Sequence, residues 1–207
     1  MKKNTILLMI NLTLFSIFFS SCAKFKAERV DNQKSDDLAM EITDNWMTED
    51  TRQAVAQIVK QMKDHPNYKK FMSRFDGQPK VFIAQMQNQT SEAYFPTNEI
   101  NDEFLNVISH DGKMVLVDNQ ARDLILKEIT YQNDGMVDPA SAKKIGKQLG
   151  ADALIIGTVF MRSEKRDAKR IKEYTLNVRF TDLELGIEVL RTRAQVNKFS
   201  NASDRGL

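Results

Sequence analysis

Seven consecutive residues, Leu154-Ile155-Ile156-Gly157-Thr158-Val159-Phe160, make the most continuous apolar run of the chain after its first 21 residues. A run of that length without polar alternation reads as a central β-strand covered on both faces, so the rest of the chain must supply apolar layers above and below it. Two further strands are expected downstream, Tyr174 to Leu183 and Ile187 to Val196, joined by a turn at Glu184-Leu185-Gly186. In the first of them Leu176, Val178 and Phe180 alternate with Asn177, Arg179 and Thr181, the period of a strand with one wet face. Chain order therefore points to an antiparallel C-terminal hairpin.

Upstream the period changes to that of a helix. Val55, Ile58, Val59 and Met62 form one apolar stripe that stops before Pro66, and Thr48 is the expected N-cap, followed by Glu49 and Asp50 in the first turn. A second short helix through Tyr68, Phe71, Met72 and Phe75 ends at Asp76-Gly77. Val81-Phe82-Ile83-Ala84 then reads as a buried strand, bounded by Pro79 and by Asn88-Gln89-Thr90. Pro96 and Thr97 open a helix that turns Ile100, Phe104, Val107 and Ile108 to one side and ends near Asp111-Gly112. Met114 to Val117 follows as a strand, and strand–helix–strand order implies a parallel, right-handed crossover. Two more helices are expected at Ala121 to Ile129 and from Asp138-Pro139, with Ala142, Ile145 and Leu149 facing the core, to a left-handed stop at Gly150. The fold class is thus α/β (α+β): a small mixed β-sheet with helices packed on it, a helical prelude and an antiparallel C-terminal hairpin.

The N-terminus belongs to a different regime. Lys2 and Lys3 precede an uncharged stretch from Ile6 to Phe19, which has the layout of a secretory signal and is short for a membrane span. Two small residues, Ser20 and Ser21, stand directly before Cys22, the only cysteine of the chain. The segment resembles a bacterial lipoprotein signal, which implies cleavage after residue 21 and a lipid attached to Cys22. Several acyl chains, each methylene worth about 0.8 kcal/mol when buried, make a stable anchor. Ala23 follows, with no aspartate there to signal retention in the inner membrane, so the outer membrane is the expected location. A plain secretory signal with Cys22 incidental is the alternative. Residues 22–43 then read as lipidated cysteine and flexible tether, 44–200 as a single periplasmic domain, and 201–207 as a disordered tail.

Charge and chemistry narrow the function classes. The chain carries 30 Lys and Arg against 28 Asp and Glu. Both surplus cations sit in the signal, so the mature chain is formally neutral and has no polybasic tail of the kind that binds nucleic acid. One cysteine excludes an intramolecular disulfide framework and any multi-cysteine metal site. His65 and His110, the only histidines, lack a partner at helical ligand spacing and read as capping or surface residues at helix ends. No nucleophile elbow, phosphate loop or dinucleotide fingerprint is present, and the paired carboxylates lie in the tether or a helix first turn. No enzyme activity, cofactor or metal is expected. Trp46 reads as packing the prelude helix onto the domain.

One surface segment stands out: Arg162, Lys165, Arg166, Lys169, Arg170 and Lys172, six cations with two acids between two strands that should pair. They are candidates for contact with an acidic partner surface, anionic glycan or lipid headgroups. The alternative is a solvated hairpin tip whose charges guard neighbouring edges from aggregation.

The order of several short pieces carries a resemblance over the whole chain beyond the tether. These are Asp44-Asn45-Trp46, Val81-Phe82-Ile83-Ala84, Asn88-Gln89-Thr90-Ser91, Pro96-Thr97, Gly150 through Val159, and Tyr174 through Asp182. Together they resemble the penicillin-binding protein activator family, the LpoB-type outer-membrane lipoproteins. The resemblance implies a TolB N-terminal-like mixed sheet and a non-enzymatic, monomeric protein. It further implies docking on a bifunctional penicillin-binding protein of the inner membrane to stimulate glycan polymerisation and crosslinking. A CsgG-like secretion-channel subunit is a second expectation, weakened because no spare pair of barrel-forming segments is found. A lipid-anchored hydrolase lacks its nucleophile and base.

Overall fold

The computed structural model describes residues 27–117 and 150–201. The signal segment, Cys22 and the helices expected at Ala121 to Ile129 and Asp138 to Leu149 lie outside the described residues. Four helices are described: α1 (Asn32–Ile42), α2 (Thr48–Asp64), α3 (Pro66–Met72) and α4 (Thr97–Asp111). Six strands are described: β1 (Lys80–Ile83), β2 (Gln87–Gln89), β3 (Val115–Leu116), β4 (Ala153–Arg166), β5 (Lys169–Asp182) and β6 (Ile187–Asn201). They form one sheet in the order β3-β1-β4-β5-β6, with β2 also beside β4. β1 runs parallel to β3 and β4, as the strand–helix–strand order required, while β4, β5 and β6 are antiparallel.

Alternation along each strand sends apolar side chains to both faces. Val81 and Ile83 of β1, Ala153, Ile155 and Val159 of β4, and Leu176, Val178 and Phe180 of β5 enter the main core. The opposite parity, Phe82 of β1 and Ala84 just beyond it with Leu154 and Ile156 of β4, builds a second cluster with Ala151 and Leu183. Every residue from Ala153 to Gly157 is buried, as the unbroken apolar run demanded, but the end of the run is not covered on both faces: Thr158 is half-buried and Phe160 exposed, because the second cluster stops at Ile156. Helix α2 lies against β6 and α4, contributing Ala54, Val55, Ile58, Val59 and Met62. Tyr68 and Phe71 of α3 meet Phe180 edge-on, with ring centroids 5.7 and 5.0 Å away. Gly157 lets the Met86 side chain lie directly on the strand: a Cβ there would overlap the Met86 sulfur and oblige that side chain to move. Two side chains seal part of the free edge of β6, where bare backbone would invite pairing. Gln61 accepts from the Arg193 N–H at 3.1 Å and donates to its carbonyl at 2.8 Å, and Asn67 donates to the Val189 carbonyl at 3.0 Å.

Local signals at the helix ends are partly as expected. Gly112 and Gly150 take left-handed conformations, with φ of 64° and 60°. Thr48 is not the N-cap of α2: Met47 holds that position, and its N–H donates to Asp50 Oδ2 at 2.8 Å. Met47 has no side-chain acceptor, so the closing bond comes from the acid three residues on. His65 ends α2 and caps α3, its Nδ1 accepting the Asn67 N–H at 3.1 Å. His110 Nδ1 pairs with the Asn106 carbonyl in the last turn of α4.

Three departures from the sequence reading concern extent. Half of the stretch expected as tether is helix α1. α1 buries no residue, so it leaves no apolar period to detect; Asp31 Oδ1 accepting the Lys34 N–H at 2.9 Å starts it locally. Strand β2, expected as a loop boundary, is wholly polar and exists because it pairs with Thr158–Phe160 of β4. The basic segment is mostly strand: β4 and β5 stay paired to Arg166 and Lys169, leaving Asp167 and Ala168 as the turn.

Candidate interaction surface

Because β4 and β5 run through the basic segment, alternation divides the six candidate cations. Arg162 and Arg166 on β4 share one face of the sheet with Lys169 on β5; Lys165, Arg170 and Lys172 share the other. The turn between them places Asp167 at φ 53°, a left-handed conformation that aspartate tolerates better than most residues. At the tip Lys165, Arg166 and Lys169 are exposed and Arg170 half-buried. Arg162 is exposed and bonded to Glu164, its Nε and Nη2 lying 3.1 and 3.0 Å from Oε1.

Lys172 does not belong to that surface. It is 6% exposed and stands directly opposite Lys198 of β6, itself 3% exposed. Two like charges facing each other across a ladder repel unless neutralised. The carboxylates come from elsewhere in the chain. Lys172 Nζ lies 3.1 Å from Asp44 and 2.8 Å from Glu92, and donates to the Asn45 side chain at 2.5 Å; Lys198 Nζ lies 2.6 Å from Asp50. Ser200 donates to Asp44 at 2.6 Å and Tyr174 donates to Glu92 at 2.8 Å. Burial works to raise the Asp44 pKa, but the hydrogen bonds from Ser200 and Lys172 and the charges of Lys172 and Arg170 outweigh it, and the net direction is down. Burial, reinforced by the Glu92 hydrogen bond and charge, pushes the Tyr174 hydroxyl far above the usual tyrosine range. The sequence reading missed this cluster because its five charged members are spread from residue 44 to 198; only strand register brings them together.

Trp46 closes the cluster on its inner side. Its indole N–H donates to Thr51 at 2.8 Å, and its ring lies 5.3 and 5.4 Å from those of Phe95 and Tyr174. That is the packing role expected of it, tying the start of α2 to β5.

The face of β4–β6 turned away from α2 carries exposed apolar side chains among cations. Phe160, Ile171 and Phe199 are 45, 38 and 62% exposed, and Ile171 pairs with Phe199 across the ladder. Arg191 and Arg193 extend this face along β6. Burial lowers the pKa of Arg179 in the same face, against the raising effect of Glu188, and Arg191 adds like-charge repulsion. Beside the tip an open groove of about 610 Å³ is lined by Met40, Ile42, Lys165, Arg170 and Phe199 among others. Among the described residues no group of three or more His, Cys, Asp or Glu is arranged to hold a metal ion, and no helix is long and apolar enough to cross a membrane.

The family model described as peptidoglycan-synthase activator LpoB matches residues 50–196. Among solved structures, the LpoB C-terminal domain from Salmonella enterica is similar at 14% identity, covering 71% of this chain and 98% of that one, with a TM-score of 0.48. The corresponding Escherichia coli domain shows 16% identity with the same coverages and TM-score. Lipoprotein GNA1162 from Neisseria meningitidis shows 15% identity over 59% of this chain and 84% of its own, with a TM-score of 0.47. Among curated protein sequences none matches this chain.

Proposed function

Because the chain belongs to the LpoB family of peptidoglycan-synthase activators, we propose that it binds a bifunctional penicillin-binding protein and stimulates its synthesis of the cell wall. The observation that carries this reading is the extent of the family match, which runs from Asp50 at the start of α2 to Val196 in β6. Control is by contact: the domain catalyses nothing itself and acts as a monomer that favours the active state of its partner. Cys22 carries the lipid and holds the protein at the outer membrane on its periplasmic side. Cleavage before Cys22 removes Lys2 and Lys3 and leaves a formally neutral protein, which suits docking through a local patch rather than through net charge.

The contact face in this reading is the exposed side of β4–β6 around Phe160 and Arg162, continued by Arg191 and Arg193. An exposed aromatic side chain amid guanidinium groups has the composition of an interface centre. Affinity capture from solubilised membranes with the mature chain as bait recovers a bifunctional synthase, and adding the chain to that synthase raises glycan polymerisation. Phe160→Asp with Arg162→Glu weakens capture by about a hundredfold, the scale of losing an interface hot spot. Repeated failure to recover any such synthase, with controls working, sinks the proposal.

A further inference from the structure

The tip of the β4–β5 hairpin is cationic on both sides. Arg166 and Lys169 pair on one face of the sheet, and Lys165 and Arg170 on the other. A partner docking on either face reaches only two of the four, whereas a flat surface met end-on reaches all of them. Apolar side chains ring the same end: Met40 and Ile42 at the close of α1 are 52 and 73% exposed, and Phe199 and Ile171 are 62 and 38% exposed. Met40, Ile42, Lys165, Arg170 and Phe199 line one groove, so the two sets are neighbours in space. Opposing charge is sparse: Asp167 in the turn and Glu41 in the groove remain, while Glu164 is bonded to Arg162 and Asp44 is engaged by Lys172 at 3.1 Å and more loosely by Arg170 at 3.8 Å.

Cations at a rim of exposed aliphatic and aromatic groups match the chemistry of a bilayer interface, where phosphates meet the upper acyl chains. The chain itself brings this end to a membrane. From Cys22 to Ile42 it spans at most about 50 Å, since the residues of α1 rise only about 1.5 Å each. We propose that the hairpin tip and the end of α1 rest on an anionic phospholipid surface, so that the domain stands on its anchoring membrane with β4–β6 upright. This rests on the lipid-anchoring part of the function proposed above. It adds an orientation: the tip is occupied by lipid, and the opposite end and exposed sheet face are left for the protein partner.

The test uses the mature chain, residues 22–207, with Cys22→Ser so that no acyl chain contributes. It is mixed with vesicles of phosphatidylglycerol and phosphatidylethanolamine, and in parallel with vesicles of phosphatidylcholine. Sedimentation with the anionic vesicles is at least tenfold stronger and weakens with salt. Lys165→Gln, Arg166→Gln and Lys169→Gln together reduce it by about a hundredfold, at roughly fivefold per cation. Lys60→Gln, Lys69→Gln and Lys70→Gln, which remove the same charge from exposed helix positions, leave it within about twofold, so net charge alone is not the cause. Equal binding to both vesicles, an unchanged tip variant, or binding to isolated peptidoglycan in place of anionic vesicles overturns the inference. Synthase capture in detergent by the tip variant stays intact. Failure of the chain with its tip unaltered to bind anionic vesicles, with synthase capture preserved, therefore defeats only the membrane orientation, and vesicle binding without capture defeats only the synthase reading.

Discussion

The long strands β4, β5 and β6 cross two regions held together by different forces. In the inner half, from Ala153 to Val159 and from Leu176 to Phe180, the sheet is fixed by apolar side chains on both β4 faces and by the aromatic contacts of Phe180. In the outer half the same ladder continues, but the buried positions pass from Leu176 through Tyr174 to Lys172, and on β6 from Ala194 to Lys198. Hydrogen-bonded pairing is continuous across the boundary; what changes is the filling between the sheet and the chain segment above it. Apolar burial needs only approximate complementarity, whereas buried charge needs each partner in place. The outer half therefore depends on two pieces of chain being docked, Asp44–Asp50 and the loop that carries Glu92.

The largest expected effect tests the inner half. Phe180→Ala removes a side chain that packs on Tyr68 and Phe71, and costs about 3–5 kcal/mol in a urea titration. Next comes Lys172→Met, which leaves Asp44 and Glu92 without their main cation. It costs about 3 kcal/mol, the low end for breaking a buried pair, because Lys198 opposite is relieved of repulsion. Adding Glu92→Gln to Lys172→Met recovers part of that loss. If Lys172→Met alone stabilised the fold, the contrast between the halves would be wrong. The two variants also differ in place. Phe180→Ala speeds amide exchange throughout, while Lys172→Met speeds it first in β5 from Lys169 to Glu173 and in β6 beyond Val196.

Acid and alkali separate the halves more finely. Asp44 has a lowered pKa in the fold, so its stabilising contribution is complete above its unfolded value near 3.8 and is lost as pH falls below that. Acid titration should therefore loosen the outer half in that window, seen as faster proteolysis before Trp46. The tyrosines act at the other end. Burial, with the Asp111 charge, pushes the Tyr68 hydroxyl up to about 12, so its contribution holds below pH 10 and disappears as pH rises to about 12. Tyr174, raised for its own reasons, adds to the same loss above pH 10. Tyr68→Phe reduces the alkaline loss and changes neutral-pH stability by less than about 1 kcal/mol, since the buried hydroxyl has no hydrogen-bond partner among the described residues. The smallest effect is at the turn: Asp167→Val forces a β-branched residue to φ 53° and costs about 1 kcal/mol, confined to the tip.

Legibility in the sequence followed the same division. β1, β4, the inner part of β5, α2 and α4 were readable because burial on one or both faces leaves a period in the residues themselves. Gly112 and Gly150 were readable because a left-handed turn selects glycine. β2 and α1 were not, since Gln87–Gln89 has no apolar member and Asn32–Ile42 buries nothing. Of the six cations proposed as a contact patch, five stay near or at the surface and Lys172 is internal. Its neighbours in sequence look identical in kind, and only its place three pairs in from Arg166 and Lys169, on the face turned toward Asp44, separates it from them.

The sequence alone determined a mixed sheet with helices on it, the antiparallel order of its last strands, and a family resemblance that the match over residues 50–196 bears out. Those properties are written in local periods and chain order. Tertiary structure decided which charges are buried. Strand register set Lys172 against Lys198, and Asp44, Asp50 and Glu92 come to them across 80 to 148 positions of chain. A charge can leave water only when its partners are already in position, and no local pattern of residues can specify partners that distant.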